Sequence, residues 1–113
     1  MSAANFQIAA ITSPEAGEAY EALVPGPAQP WFEDLANGRR IAVGCHLLGE
    51  SPEDPVGVAL ATRVTERECA DLNWIYVRDR YRWRGIAAAL LAQIETIARE
   101  SGFDRVGASY TNE

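Results

Sequence analysis

The spacing of apolar residues along the chain changes period several times, and each change marks an element. Phe6–Ile11 is a short apolar run, read as a first strand. Thr12 or Ser13 can cap a helix beginning at Pro14, a favoured first position because proline lacks an N–H that would be unpaired there anyway. Glu15 and Glu18 suit its positive end, and Ala16, Ala19, Tyr20 and Leu23 give it one apolar face. Pro25-Gly26-Pro27 ends it. Pro30–Ala36 reads as a second short helix, closed by Asn37-Gly38.

Arg39–Leu48 then alternates, with Ile41, Val43, Cys45 and Leu47 on one face. Gly49–Pro55 is loop. Val56–Val64 alternates again, with Val56, Val58 and Leu60 on one side, and pairs with the strand before it. After the polar turn Thr65–Glu68, Cys69–Val77 is the strand densest in large apolar residues. From Ile86 the period becomes helical. Ile86, Leu90, Ile94 and Ile97 form a stripe that Ala87, Leu91 and Ala98 widen. Gly102 supplies the stop, and Phe103–Tyr110 is a last strand.

The order is β-α-α-β-β-β-α-β. Its last three elements make a β-α-β unit, whose strands run parallel through a right-handed crossover. Hairpins make the rest antiparallel. The predicted class is α/β (α+β): a mixed, largely antiparallel sheet with helices on both faces, in one domain spanning 1–113.

Composition alters this picture little, since 48% apolar and 23% charged residues are ordinary for a soluble domain. No segment has the length of a membrane span, and Met-Ser-Ala-Ala-Asn-Phe is not a signal peptide, so a cytoplasmic location without membrane contact is expected. A net charge of −6 disfavours a nucleic-acid surface. Cys45, Cys69 and His46 do not make a zinc site, which needs at least three good ligands, so no metal is expected. The cysteines read as buried reduced thiols and His46 as a half-buried strand residue.

Charge placement is more telling. Lysine is absent, and four of the ten basic residues, Arg78, Arg80, Arg82 and Arg84, fall between the richest strand and the long helix. The first N–H groups of that helix have no partner within it, and Gly85 lacks the Cβ that would keep a phosphate from the backbone. The junction is therefore an anion site, best suited to a pyrophosphate. Charge-assisted hydrogen bonds contribute about 1.5–3 kcal/mol each, so roughly three of them with one arginine suffice for micromolar binding. A Walker loop is excluded by the missing Gly-Lys-Ser/Thr, and GxGxxG by Ala87 and Leu90 where glycines are needed.

Arg82-Trp83-Arg84-Gly85-Ile86-Ala87 fits the pattern Q/R-x-x-G-x-G/A. With Trp74-Ile75-Tyr76-Val77 before it and the helix Ala88–Glu100 after it, this closely resembles the acetyl-CoA motif of the GNAT acetyltransferase superfamily. Asn112 resembles the asparagine that opens the family's next motif, and the upstream element order agrees. The resemblance implies the acyl-CoA N-acyltransferase fold and an N-acetyltransferase. It would move the acetyl group of acetyl-CoA, its cosubstrate, to a primary amine by direct attack in a ternary complex. Backbone N–H groups of Arg82, Trp83, Arg84, Gly85, Ile86 and Ala87 would hold the pyrophosphate. The main chain of Ile75, Tyr76 and Val77 would hold pantetheine and the thioester carbonyl. The strands Leu72–Val77 and Arg105–Tyr110 would splay to admit it.

Asp71, eleven residues before Arg82, stands where some members carry a catalytic glutamate. Its strand parity with Asn73, Ile75 and Val77 turns it towards the cleft, where it would act as base through a water. The alternative is a solvated carboxylate at a strand start. Glu66 and Glu68 are weaker candidates on the preceding turn. Trp31 and Phe32 either line an acceptor pocket or anchor the second helix. Trp83 stands against the adenine or a partner, and Arg78 and Arg80 flank the 3′-phosphate or solvate the loop. The family normally continues with a helix and two strands beyond the point where this chain ends, and Tyr110 does not match its general acid. Truncation, a partner chain completing the sheet, or a short non-catalytic acyl-CoA-binding or regulatory module each account for that. Exposure of the last strand's edge favours a homodimer.

Overall fold

Two alternating and two apolar segments are realised as four antiparallel strands, to which a fifth adds in parallel. In a computed structural model, residues 6–24, 35, 39–48, 55–64, 69–82, 85–100, 102 and 105–108 are described. The strands are β1 (Phe6–Ala10), β2 (Arg40–Leu47), β3 (Gly57–Val64), β4 (Cys69–Val77) and β5 (Arg105–Ala108). They lie in one sheet in chain order. β1 to β4 pair antiparallel, and β4 pairs parallel with β5. The crossover between those two is the helix α2 (Ile86–Glu100).

The first predicted helix is realised in two pieces. A short α1 (Pro14–Gly17), capped by Ser13 Oγ, which accepts from the Ala16 N–H at 3.1 Å, runs into a 3₁₀ turn at Glu18–Leu23. Glycine at position 17 costs α-helix stability mid-run, and the chain tightens there. Of the second predicted helix only Leu35 lies within the described residues.

Two apolar layers sandwich the sheet. Ile41, Val43, Cys45, Ala59, Ala61 and Leu72 face α2, which presents Ile86, Leu90, Ile94 and Ala98. Tyr20, Leu23, Ala42, Val58 and Leu60 pack together on the opposite face. The helix α2 thus covers one face and the 3₁₀ turn the other, as the element order predicts. Two details differ. Ala87 is exposed rather than part of the buried stripe. Val56 precedes β3 and packs in the layer facing α2, away from Val58 and Leu60.

A Cβ on Gly57 would lie 3.3 Å from Leu90 Cδ1, so glycine there lets α2 sit close to β3. Leu90 is fully buried at that contact. Leu90→Ala is expected to destabilise the protein by about 2–5 kcal/mol in a denaturant titration. A loss under about 1 kcal/mol would show that α2 does not pack as described.

On the other face, Tyr20 occupies the space that a side chain on Gly44 would fill, and its hydroxyl shares a hydrogen bond with His46 Nε2. The rings meet edge to face at 5.2 Å. Trp74 Nε1–H donates to the Leu23 carbonyl at 2.8 Å. These contacts pin the 3₁₀ turn across three strands. His46 is half-buried and both cysteines are buried free thiols, as read from the sequence.

Candidate acetyl-CoA site

The site lies at the end of β4, beyond its described pairing with β5. Their pairing runs from Cys69–Arg105 to Leu72–Ala108, and Asn73–Val77 have no β5 partner among the described residues. Between the end of β4 and the start of α2 lies a cavity of about 410 Å³. Its walls are the end of β4 (Ile75, Tyr76, Val77), Tyr81 and Arg82 of the connecting loop, and the start of α2 (Gly85 to Ala88).

Gly85 sets the geometry of the rim. Its φ is +80°, and its carbonyl accepts the Ala89 N–H at 3.0 Å, which begins α2. No atom lies within 4 Å of where a Cβ would stand. The start of α2 therefore lines the cavity with no Cβ at Gly85 to cover its first N–H groups.

Arg82 folds back across the end of β4. Its Nε–H donates to the Val77 carbonyl at 3.0 Å, and Nη1 is 3.1 Å from Asp79 Oδ1. Its guanidinium lies 5.6 Å from the centre of the Tyr76 ring, a cation–π distance. Arg78 is used differently: its Nε–H donates to the Pro55 carbonyl at 2.9 Å, and its backbone N–H to Val56. It latches the entry of β3 to the exit of β4. Arg80 is exposed.

Of the residues picked from the sequence, Ile75, Tyr76, Val77, Arg82, Gly85, Ile86 and Ala87 come together around the cavity. Trp83, Arg84, Asn112, Tyr110, Trp31, Phe32, Glu66 and Glu68 lie outside the described residues. Tyr81 was missed; an aromatic residue between two loop arginines was the available signal.

Asp71 requires a correction. Leu60 pairs with Trp74 but Ala61 with Leu72, so Asn73 is an extra residue, a β-bulge. Strand parity breaks there. Leu72 faces α2 before the bulge, and Ile75 and Val77 face it afterwards. Asp71 therefore does not share a face with Ile75 and Val77. It pairs with Thr62, on the face of Leu60, Trp74 and Tyr76. The Thr62 hydroxyl donates to Asn73 Oδ1 at 2.6 Å and fastens the bulge on that face. Asp71 Oδ1 lies 3.8 Å from Cys69 Sγ. The carboxylate is beyond the cavity wall, on the side away from α2. Among the described residues no cluster of three metal-binding side chains occurs, and no helix is long and apolar enough to cross a membrane.

A mixed sheet of four antiparallel strands and a parallel fifth, joined by a helix with a glycine-opened N-terminus, makes the fold of an acyl-CoA N-acyltransferase. The model of the acetyltransferase (GNAT) family matches residues 7–113, and the chain belongs to that family.

Solved structures agree in fold. A ribosomal-protein-alanine N-acetyltransferase from Brucella melitensis biovar Abortus 2308 superposes with TM-score 0.69 at 18% identity, over 95% of this chain and 82% of that one. An aminoglycoside 6′-N-acetyltransferase from Acinetobacter baumannii gives TM-score 0.72 at 17% identity, over 96% and 81%. A Bacillus anthracis str. Ames acetyltransferase structure in complex with acetyl coenzyme A gives TM-score 0.53 at 18% identity, over 77% and 41%. No curated protein matches by sequence.

Proposed function

We propose that the protein transfers the acetyl group of acetyl-CoA to a primary amine of an acceptor bound beside the β4 bulge. The observation that carries this reading is the cavity between the end of β4 and the glycine-opened start of α2. Helix N–H groups around Gly85 take the diphosphate, and the backbone of Ile75–Val77 takes the pantetheine arm as a neighbouring strand would. The family and the acetyl-CoA complex of a structural neighbour support this cosubstrate.

From Val77 back to Asn73 is four residues, about 13 Å of strand at the usual rise. A pantetheine arm along that edge brings the thioester to the bulge. The amine nitrogen attacks the thioester carbonyl, a C–N bond forms and the C–S bond breaks. The ammonium proton passes to Asp71, directly or through a water, and the coenzyme leaves as a thiolate that takes a proton from solvent or the site. The acceptor would approach on the face of Asp71, Asn73 and Trp74, opposite α2. Buried free thiols at Cys45 and Cys69 suit a reducing cytoplasm.

Calorimetry with acetyl-CoA tests the cofactor, and thiol release across a panel of primary amines tests the reaction. Micromolar binding with amine-dependent release is the expected result. Binding without release for any amine would favour a module that holds acyl-CoA without chemistry. No binding at high micromolar acetyl-CoA would overturn the cavity assignment.

A further inference from the structure

Three side chains form a continuous stack that runs from the 3₁₀ turn to the cofactor loop. Trp74 and Tyr76 lie nearly parallel, 12° apart, with ring centres separated by 6.3 Å. Arg82 lies over the Tyr76 ring. At the far end, Trp74 Nε1–H is held by the Leu23 carbonyl. Trp74 is outside the cavity wall, whereas Tyr76 and Arg82 are part of it.

The guanidinium has five N–H donors, of which Nε serves Val77 and Nη1 reaches Asp79. Its side chain is 48% exposed, and Asp79 is 84% exposed, so that pair is largely screened. An arginine held only by such a pair would sample many rotamers. Here the Tyr76 ring below it and the Val77 carbonyl beside it select one, in a residue that lines the cavity. Tyr76 in turn is kept upright by Trp74.

We propose that Trp74 is a positioning residue for the cofactor. Through Tyr76 it presents the Arg82 side chain to the diphosphate, so that anion binding uses this guanidinium as well as the backbone of the loop. This rests on the reading of the cavity as the acetyl-CoA site. It adds a residue that touches neither cofactor nor reacting atoms, and it ties the cofactor loop to the turn that packs on the acceptor side of the sheet.

Calorimetric titration with acetyl-CoA at several salt concentrations tests the idea. Arg82→Gln should weaken binding about tenfold, the loss of roughly one charge-assisted contact, and reduce the salt dependence of Kd. Trp74→Leu should weaken it about three- to tenfold with the same reduced salt dependence, and add little in the Arg82→Gln background. Trp74→Phe, which keeps a ring in the stack, should bind within about twofold of the parent protein. If Trp74→Leu does not fold, Tyr76→Leu takes its place with the same expected non-additivity. Parent-like binding by Trp74→Leu, additive losses in the double variant, or failure of Trp74→Phe to bind better than Trp74→Leu would each overturn the positioning role. Those outcomes leave the cavity assignment standing, whereas a parent protein that does not bind acetyl-CoA removes it.

Discussion

Replacing Gly85 with valine is expected to abolish acetyl-CoA binding while leaving the protein folded. Two effects act at this position and differ in size. A φ of +80° is unfavourable for a β-branched residue and costs about 1–3 kcal/mol. That is tolerable against a typical stability of about 5–15 kcal/mol. A Cβ there meets no described atom beyond its chain neighbours within 4 Å. It projects instead into the space over the helix N–H groups that the diphosphate would occupy. Losing roughly two charge-assisted hydrogen bonds there lowers affinity by at least about 100-fold. Calorimetry reads the affinity, and a thermal melt confirms the fold. Affinity retained within about threefold would place the diphosphate elsewhere.

Asp71→Asn is expected to lower kcat/KM for the amine by about 100-fold or more, the usual scale for removing a general base. Its dependence on pH should flatten, since asparagine cannot accept the proton. Acetyl-CoA affinity should stay the same, because Asp71 is not part of the cavity wall. That split between turnover and cofactor binding separates a base from a carboxylate that merely supports the strand. A structural carboxylate would lower stability and leave the rate profile in place. An unchanged profile in the variant removes Asp71 from the mechanism.

Much of the architecture was legible because its signals are local. The α2 stripe of Ile86, Leu90 and Ile94 depends only on helical spacing, and β4 matches its predicted limits, Cys69–Val77. The turn at Gly85 was legible for the same reason: a glycine between a strand and a helix takes a positive φ whatever surrounds it. The break of the first helix at Gly17 was less clear, since one glycine inside an apolar pattern marks either a weak point or an end. The face of Asp71 was read wrongly. Parity counting assumes unbroken pairing, and nothing within Cys69–Val77 announces that Asn73 is the extra residue. The bulge is fastened by Thr62, eleven positions away on the neighbouring strand.

The sequence by itself determined the order of the strands and the long helix, the mixed sheet and the family motif. All of these follow from short-range periodicity and from residue types that restrict the backbone. Only the tertiary structure decided which face of β4 carries Asp71, that Arg78 is a latch to Pro55, and that Arg82 lies over Tyr76. These depend on contacts between distant segments, such as Leu23 with Trp74 across 51 positions. Whether a side chain meets a given partner is set by the register and bulges of the strands that carry it, and those come from packing the whole sheet rather than from any one stretch of chain.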